Sequence, residues 1–391
     1  MKIASVEAVP IVVPMQNKIA APIAIPRADE VAHVVFGQYR TVLVRIRTED
    51  GIEGVGEIMT RLAAKAYKEI VDDIAPLLIG RDARDIEGIW DLLWSVMVNR
   101  GHVKGFYVEA MSGIDIALWD IFGKSVNLPV WRLLGGDVNP KIWCYASSLR
   151  FRGLDILLKE VEHYKSIGFN AMKIKIGKNP LDYREDIKAV EALRKAAGDD
   201  VVLMADVNCG YGDNPKTALQ VGRELERLGL YWYEEPLSPE DVDGYAFLRD
   251  KLDIRIATGE ADFTRFNIAP FLARAAVDII QPDACRVGGL SETRKIAEMA
   301  SAFHCAFAPH TGSCSVIAMI VGLHLARAMP NFLVFEYMHS DWNKEQQNPL
   351  RWDLCEMPIE KFEDSHITMK DCVGLGIELN EEVVEKYRVD R

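Results

Sequence analysis

Asp206, Glu234, Glu260, Asp283, His310 and Glu336 each close a short apolar run, at successive intervals of 28, 26, 23, 27 and 26 residues. A Lys-x-Lys pair, Lys173 and Lys175, precedes them. A lone carboxylate at a strand end usually caps the next helix or pairs with a base. Three in succession, Asp206, Glu234 and Glu260, instead make a set of hard oxygen ligands suited to a divalent cation such as Mg2+. Lys173 and Lys175 share one face of a strand, and Ala171, Met172, Ile174 and Ile176 around them argue against an exposed strand. Two ammonium groups in a semi-buried site should lower each other's pKa by repulsion and desolvation, which makes a usable general base. Asp283 and His310 read as a dyad, the carboxylate holding one imidazole nitrogen and leaving the other free to move a proton. Glu336 reads as a hydrogen-bonding group for a substrate oxygen or as support for the site. His304 falls in a helix-to-strand turn and reads as structural.

The intervals identify the elements that position these groups. A strand, its return helix and two loops take about 25–30 residues, so the spacing is one functional residue per βα unit. From about residue 142 the runs KIWCYAS, AMKIKIG, VVLMADVN, YWYEEP, RIATGE, DIIQPDA, CAFAPHT and FLVFEY alternate with amphipathic helical segments. Near-continuous apolar strands alternating with helices predict a covered parallel sheet, here a closed TIM-type α/β barrel. In such a barrel all strands end at one face, where the residues above converge. The carboxylates then occupy strands three to five, with Lys175 on strand two beside them and His310 on strand seven beyond them. A substrate held through its carboxylate would meet a base on each face of its α-carbon. That arrangement suits abstraction of an α-proton, with the cation and Lys173 stabilising the enediolate.

The rest of the 391-residue chain is long enough for a second domain. Residues 1–60 read as strands, with a hairpin at Glu-Asp-Gly in RTVLVRIRTEDGIEGVGEI, and residues 64–124 read as helices. We divide the chain into an α+β capping domain over 1–126, completed by a C-terminal segment 362–391, and a barrel over 127–361. The stretch 15–32, with Pro22 and Pro26, fits neither period and reads as a functional loop. The net charge of −12 argues against nucleic acid as a partner. Seven scattered cysteines without a Cys-x-x-Cys pair suit reduced thiols in the cytoplasm. The N-terminus reads as a strand and not a signal peptide, and no apolar run is long enough to span a membrane.

With these residues placed, the chain resembles the enolase superfamily, and within it the mandelate racemase-like subgroup. The matching pieces are Lys173-Ile-Lys175, Asp206-Val-Asn208, Glu234-Glu235-Pro236, Gly259-Glu260, the Asp283 segment QPDACRVGG and the His310 segment APHTG. GIEGVGE, SGIDIALWDIFGK, PVWRLLGG and NPLRWDL resemble the family outside the site. The resemblance implies a capping domain, a modified (β/α)7β barrel and one Mg2+ per subunit on Asp206, Glu234 and Glu260. It also implies Lys175, His310, Asp283, Lys173 and Glu336 as catalytic residues, with Lys173, Asn208 and Glu336 contacting substrate. A homo-oligomer is expected on the same ground. Asp283 stands where the muconate lactonizing-like subgroup usually has a second lysine, which favours the racemase-like branch. Glu260 stands where glucarate dehydratases tend to carry Asn.

Members with this pattern mostly dehydrate sugar acids to 2-keto-3-deoxy acids, and a minority racemise 2-hydroxy acids. The shared residues leave both outcomes open, as well as a non-catalytic homologue that keeps only the scaffold. Loops at 15–32 and 56–62 should close over the site. Lys18, Arg27, Asp29 and Glu30 in the first of them favour a polyhydroxy acid, so the expected reaction is dehydration of a small carboxylate, an aldonate or aldarate.

Overall fold

The computed structural model describes residues 1–15, 37–150, 153–177, 179, 182–212, 214–312, 315–338, 348–356 and 358–390. The predicted loop at 15–32 therefore lies, apart from Met15, outside the described residues. Strands β1 (Ile3–Pro14), β2 (Gln38–Thr48) and β3 (Glu53–Met59) form an antiparallel sheet in that order. The β2–β3 hairpin turns at the predicted Glu-Asp-Gly, where Gly51 donates its N–H to the Thr48 carbonyl. Helices α1 (Ala64–Ile74), α2 (Ile86–Met97) and α3 (Phe106–Val126) follow. Most of α3 is buried, so it lacks the broad polar face of a surface helix. It lies close to β3 because Gly56 meets Gly113: a Cβ on Gly56 would stand 2.0 Å from the Gly113 carbonyl oxygen.

The second unit alternates strand and helix: β4 (Ile142–Arg150), α4 (Leu154–Ser166), β5 (Ala171–Lys175), α5 (Arg184–Ala197), β6 (Val202–Asp206), α6 (Pro215–Arg227), β7 (Trp232–Glu234) and α7 (Val242–Lys251). It continues through β8 (Arg255–Thr258), α8 (Thr264–Ala273), β9 (Ile279–Ile280), α9 (Gly289–Ala302), β10 (Ala306–Phe307), α10 (Val316–Ala328) and β11 (Phe335–Tyr337). Parallel pairing runs from β4 through to β10, and β11 pairs with β4. A parallel bridge between Phe307 and Phe332 joins the two ends, so the sheet closes as a (β/α)7β barrel.

The barrel interior explains how the site is assembled. Tyr145, Ala171, Met204, Trp232, Ala257, Ile279, Ala308 and Val334 pack as one buried cluster, with one residue from on or beside each of the eight strands. Side chains two apart on a strand share a face. Ser147, Lys173, Asp206, Glu234, His310 and Glu336 each stand two residues beyond a member of that cluster. The apolar layer is thus a floor, and the polar groups form the next layer above it.

The tail divides. A hairpin of β12 (Glu360–Glu363) and β13 (His366–Met369) pairs with β4 at Ile142 and Trp143. Residues further on meet the first unit: Leu375 N–H donates to Asp120, and Arg45 pairs with Glu381 on α11 (Glu381–Tyr387). The six described cysteines are free thiols. Among the described residues, no helix is long and apolar enough to cross a membrane.

His324 on α10 is fully buried: Trp131 N–H donates to its Nδ1 at 3.0 Å, and Nε2 lies 3.1 Å from the Leu375 carbonyl oxygen. Those partners require the neutral ring with hydrogen on Nε2, and burial pushes its pKa from 6.5 down to about 4. The unfolded chain takes up this proton near pH 6.5 and the folded one only near 4. Stability contributed by neutral His324 is therefore intact above pH 6.5 and lost as pH falls towards 4, by about 3 kcal/mol. His324→Gln keeps one acceptor and one donor. Thermal unfolding from pH 7 to 4 should show a shallower fall for this variant than for the wild type; equal slopes would remove His324 from the account.

Candidate active site

Five carboxylic acids, two lysines, a histidine and Asn208 meet above the floor. The Lys173 ammonium is inaccessible to solvent and lies 2.8 and 2.9 Å from the two Glu234 oxygens, 3.0 Å from Glu336 Oε1 and 3.6 Å from Asp206 Oδ2. It also stands over the Tyr145 ring. Lys175, partly exposed, donates to Asp206 Oδ2 and to Asn208 Oδ1. The other Asp206 oxygen accepts the Asn208 N–H, and Asn208 Nδ2 donates to Glu260 Oε1 at 3.1 Å. At the far side His310 Nδ1 sits 2.8 Å from Asp283 Oδ2, while Asp283 Oδ1 accepts the Cys285 N–H. His310 Nε2 lies 3.1 Å from Glu260 Oε2 and 3.8 Å from Glu336 Oε2. Glu336 is held by the Ser147 hydroxyl at 2.6 Å and the Thr311 N–H at 3.1 Å.

All nine residues named from the sequence thus fall in one place. Their backbone setting differs from the expected one. The strands end early: β8 stops at Thr258, β9 at Ile280 and β10 at Phe307, so Glu260, Asp283 and His310 lie in the rim loops. The loops stay in register through bonds that continue the ladder, such as Ala308 N–H to Ile280 carbonyl and Gln281 N–H to Thr258 carbonyl. Asn208, Cys209 and Glu235 take positive φ of 43°, 60° and 43°. Left-handed backbone at non-glycine residues costs about 1 kcal/mol or more each and gathers where side chains must be aimed.

The electrostatics of the protein groups alone run against one expectation. Lys175 was predicted to have a lowered pKa; burial does act in that direction, but Asp206 and Glu260 outweigh it and raise the pKa. Lys173 behaves alike: burial lowers it, and Glu234 and Glu336 carry it well above its ordinary value. For His310, burial opposes the charged ring while Glu260, Glu336 and Asp283 favour it, and the pKa rises. Glu336, despite burial, is held down to about 2 by Lys173 and His310. Burial and the neighbouring Asp206 push Glu234 up to about 8. The site therefore carries more negative charge than its bases neutralise.

That excess, and the ligand types, fit a divalent cation. One oxygen each from Asp206, Glu234 and Glu260 lies within 4.8 Å of the others, and the second Glu260 oxygen, Oε2, faces His310 Nε2 at 3.1 Å. Hard oxygens on strand ends and rim loops suit Mg2+. A dication there would supply the positive charge that the acids now draw from the lysines, releasing both ammonium groups towards lower pKa.

Several residues were not assigned roles from the sequence. Glu235 is buried beside Asn208 and Glu260, with its pKa raised by burial and by Glu260 and Asp206. The Glu-Glu doublet was the available signal. Ser147 follows the barrel alternation from Tyr145. Arg286 donates to the Glu260 carbonyl at 2.9 Å and pairs with Glu109 of α3 at 3.1 Å. Gly312 stands where a Cβ would lie 2.6 Å from His310 Cε1, so the ring leaves no room for a side chain. The expected loop at 56–62 is strand over its first four residues, because β3 runs to Met59, and Met59 N–H donates to the Cys285 carbonyl, which places the end of β3 beside the dyad.

The Asp283–His310 contact yields a prediction. Asp283→Asn should preserve the fold and metal affinity while kcat falls on the order of 10^3–10^4-fold, because an amide can hold the imidazole in the wrong tautomer. Wild-type kcat in that variant would remove the dyad from the mechanism.

Comparisons with known proteins agree with this architecture. Residues 12–135 match the mandelate racemase / muconate lactonizing enzyme N-terminal domain, and residues 157–383 match the enolase C-terminal domain-like family. The chain is 36% identical over 372 residues to an L-talarate/galactarate dehydratase from Salmonella typhimurium, covering 92% of this chain and 87% of the relative. The 3,6-anhydro-D-galactonate cycloisomerase from Zobellia galactanivorans superposes with a TM-score of 0.86 at 32% identity, covering 100% of both chains. A racemase from Streptomyces coelicolor, solved with bound magnesium, superposes with a TM-score of 0.85 at 26% identity, covering 99% of this chain and 100% of that one. The capping sheet, the closed (β/α)7β barrel and the carboxylate row above its floor are those of the enolase superfamily, and the chain belongs to its mandelate racemase-like family.

Proposed function

We propose that this protein is a Mg2+-dependent acid-sugar dehydratase, removing the α-proton and the β-hydroxyl of an aldonate or aldarate to give a 2-keto-3-deoxy acid. The observation that carries the reading is the position of the two bases: Lys175 stands against Asp206 at one end of the carboxylate row, and His310 stands against Glu260 at the other. A substrate between them offers its α-carbon to one base and its β-hydroxyl to the other. Asp206, Glu234 and Glu260 would hold the metal, which supplies charge stabilisation for the substrate carboxylate as it gains electron density.

In the proposed reaction, Lys175 Nζ or His310 Nε2 takes the α-proton. The opposite group protonates the departing β-hydroxyl, which leaves as water. The resulting enol takes a proton at the β-carbon to give the keto acid. Lys173 offers its ammonium to a carboxylate oxygen, Asn208 and Glu336 bond substrate oxygens, and Asp283 holds the imidazole. The dehydratase relative supports elimination over the alternatives. The racemase and cycloisomerase neighbours show that the same scaffold also serves isomerisation.

The deciding experiment is incubation of the Mg2+-loaded protein with a library of aldonic and aldaric acids in D2O, read by mass spectrometry and by semicarbazone formation. Loss of one water with a new 2-keto acid supports the reading. An isomer that gains deuterium without losing water assigns a racemase or cycloisomerase instead. No deuterium in any acid would leave a scaffold without this chemistry.

A further inference from the structure

Two motifs outside the barrel, Gly51–Glu57 and Ser112–Lys124, take no part in that reaction, yet each sends a buried carboxylate across to it. Glu57, near the end of β3, is inaccessible to solvent and accepts four hydrogen bonds. The donors are Thr41 Oγ1 at 2.5 Å, and Ser315 N, Ser315 Oγ and Ala318 N, each at 2.8 Å. Ser315 is the N-cap of α10, so Glu57 satisfies amides that the start of that helix leaves without a partner. Asp115 on α3 accepts the Ser291 N–H at 3.0 Å in the first turn of α9. Beside it Ser112 Oγ accepts the Gly288 N–H at 2.8 Å, and Trp119 Nε1 donates to Ser291 Oγ at 2.8 Å. A Cβ on Gly289 would lie 2.3 Å from Asp115 Oδ2, so the fit tolerates no larger residue there.

The choice of helices is informative. Helices α6 and α7 are capped from within the barrel, by Asn214 and Asp241 just ahead of them. Helix α9 has no side-chain cap of its own and takes Asp115 from the capping domain, while α10 adds Glu57 to its own Ser315 cap; both follow the strands whose rim loops carry Asp283 and His310. Ser315 is five residues beyond His310, and Gly289 is six beyond Asp283. A shift of either helix start moves one partner of a 2.8 Å hydrogen bond.

We propose that Glu57 and Asp115 are positioning residues for the Asp283–His310 dyad, acting through the N-termini of α10 and α9. Neither touches the substrate position. The importance of the dyad rests on the reaction proposed above, but its geometry can be read without any substrate. The test uses full-length, Mg2+-loaded protein with 15N-labelled imidazole rings and follows the His310 Nδ1–H signal, assigned by its loss in His310→Asn. In Glu57→Gln, Asp115→Asn and the milder Ser315→Ala, which removes one of the four bonds to Glu57, the signal should shift or broaden. Mg2+ affinity measured by calorimetry should stay within about twofold, while kcat on an accepted acid sugar should fall about tenfold or more. The control, Lys104→Met, breaks an exposed pair between the capping domain and Glu240 at the β7 rim and should leave the His310 signal unchanged.

An unchanged His310 signal in folded Glu57→Gln, Asp115→Asn and Ser315→Ala overturns the proposal. So does an equal change in Lys104→Met, which would reduce the contacts to general packing of the interface. If Glu57→Gln does not fold, Ser315→Ala decides the α10 contact. If no acid sugar is turned over, the NMR comparison still decides the positioning role, separately from the reaction.

Discussion

Asp206→Ala, Glu234→Ala and Glu260→Ala should each lower kcat by at least about 10^3-fold, equivalent to roughly 4 kcal/mol of transition-state stabilisation. Each removes a hard oxygen from the set that lies within 4.8 Å and disturbs a base as well. Without Asp206, Lys175 loses its carboxylate partner; without Glu260, His310 Nε2 loses its nearest carboxylate oxygen. Two measurements separate these effects. Mg2+ should raise the melting temperature of the wild type by mass action and should do so much less for the variants. A chelator should abolish wild-type turnover, and restored Mg2+ should recover it. Full activity in excess chelator would sink the metal assignment.

The second large effect concerns the two bases. In D2O with an accepted substrate, one of Lys175 and His310 should abstract the α-proton. Replacing that residue, by Lys175→Ala or His310→Asn, should stop both solvent exchange and water loss, a fall of roughly 10^3-fold or more from removing general acid–base catalysis and its hydrogen bonds. Replacing the opposite residue should stop elimination yet preserve α-proton exchange, because the first base can still return a solvent deuteron to the same face. A racemase would separate differently, each variant retaining exchange of one enantiomer with no keto acid formed. Wild-type elimination in both variants would exclude both residues as acid and base.

Much of this site was legible because barrel geometry converts position along the chain into position around a ring. The intervals from Asp206 to Glu336 report one group per βα unit, and alternation on each strand places Lys173 and Asp206 above Ala171 and Met204. Strand lengths were less legible. The run DIIQPDA was read as a strand to its end, yet the ladder stops at Ile280, and Gln281, Pro282 and Asp283 beyond it are buried in a rim loop. The direction in which the protein groups alone shift the lysine pKa values was hidden for a different reason. The neighbouring ammonium is two residues away and obvious, whereas Asp206, Glu234, Glu260 and Glu336 arrive from 31 to 163 residues further along and together outweigh it. The roles of Glu57 and Asp115 were hidden for the same reason: in sequence each is an acid among apolar residues, and its partner belongs to another domain.

The separation of Glu57 from Ser315, 258 residues, and of Asp115 from Ser291, 176 residues, also bears on how the protein is made. At about 5–20 residues per second, roughly 10–50 s of synthesis pass between Glu57 and the amides that satisfy it. Until α9 emerges the barrel-facing side of α3 has no surface to cover it, and until α10 emerges Glu57 lacks the Ser315 and Ala318 donors. The nascent capping sheet is thus held short of its final packing until the last quarter of the barrel emerges. Such long-range closure is slow and leaves apolar surface open to association while it waits. A chain arrested before α10 should be a client for chaperones, and burial of Glu57 should follow the emergence of Ser315 and Ala318.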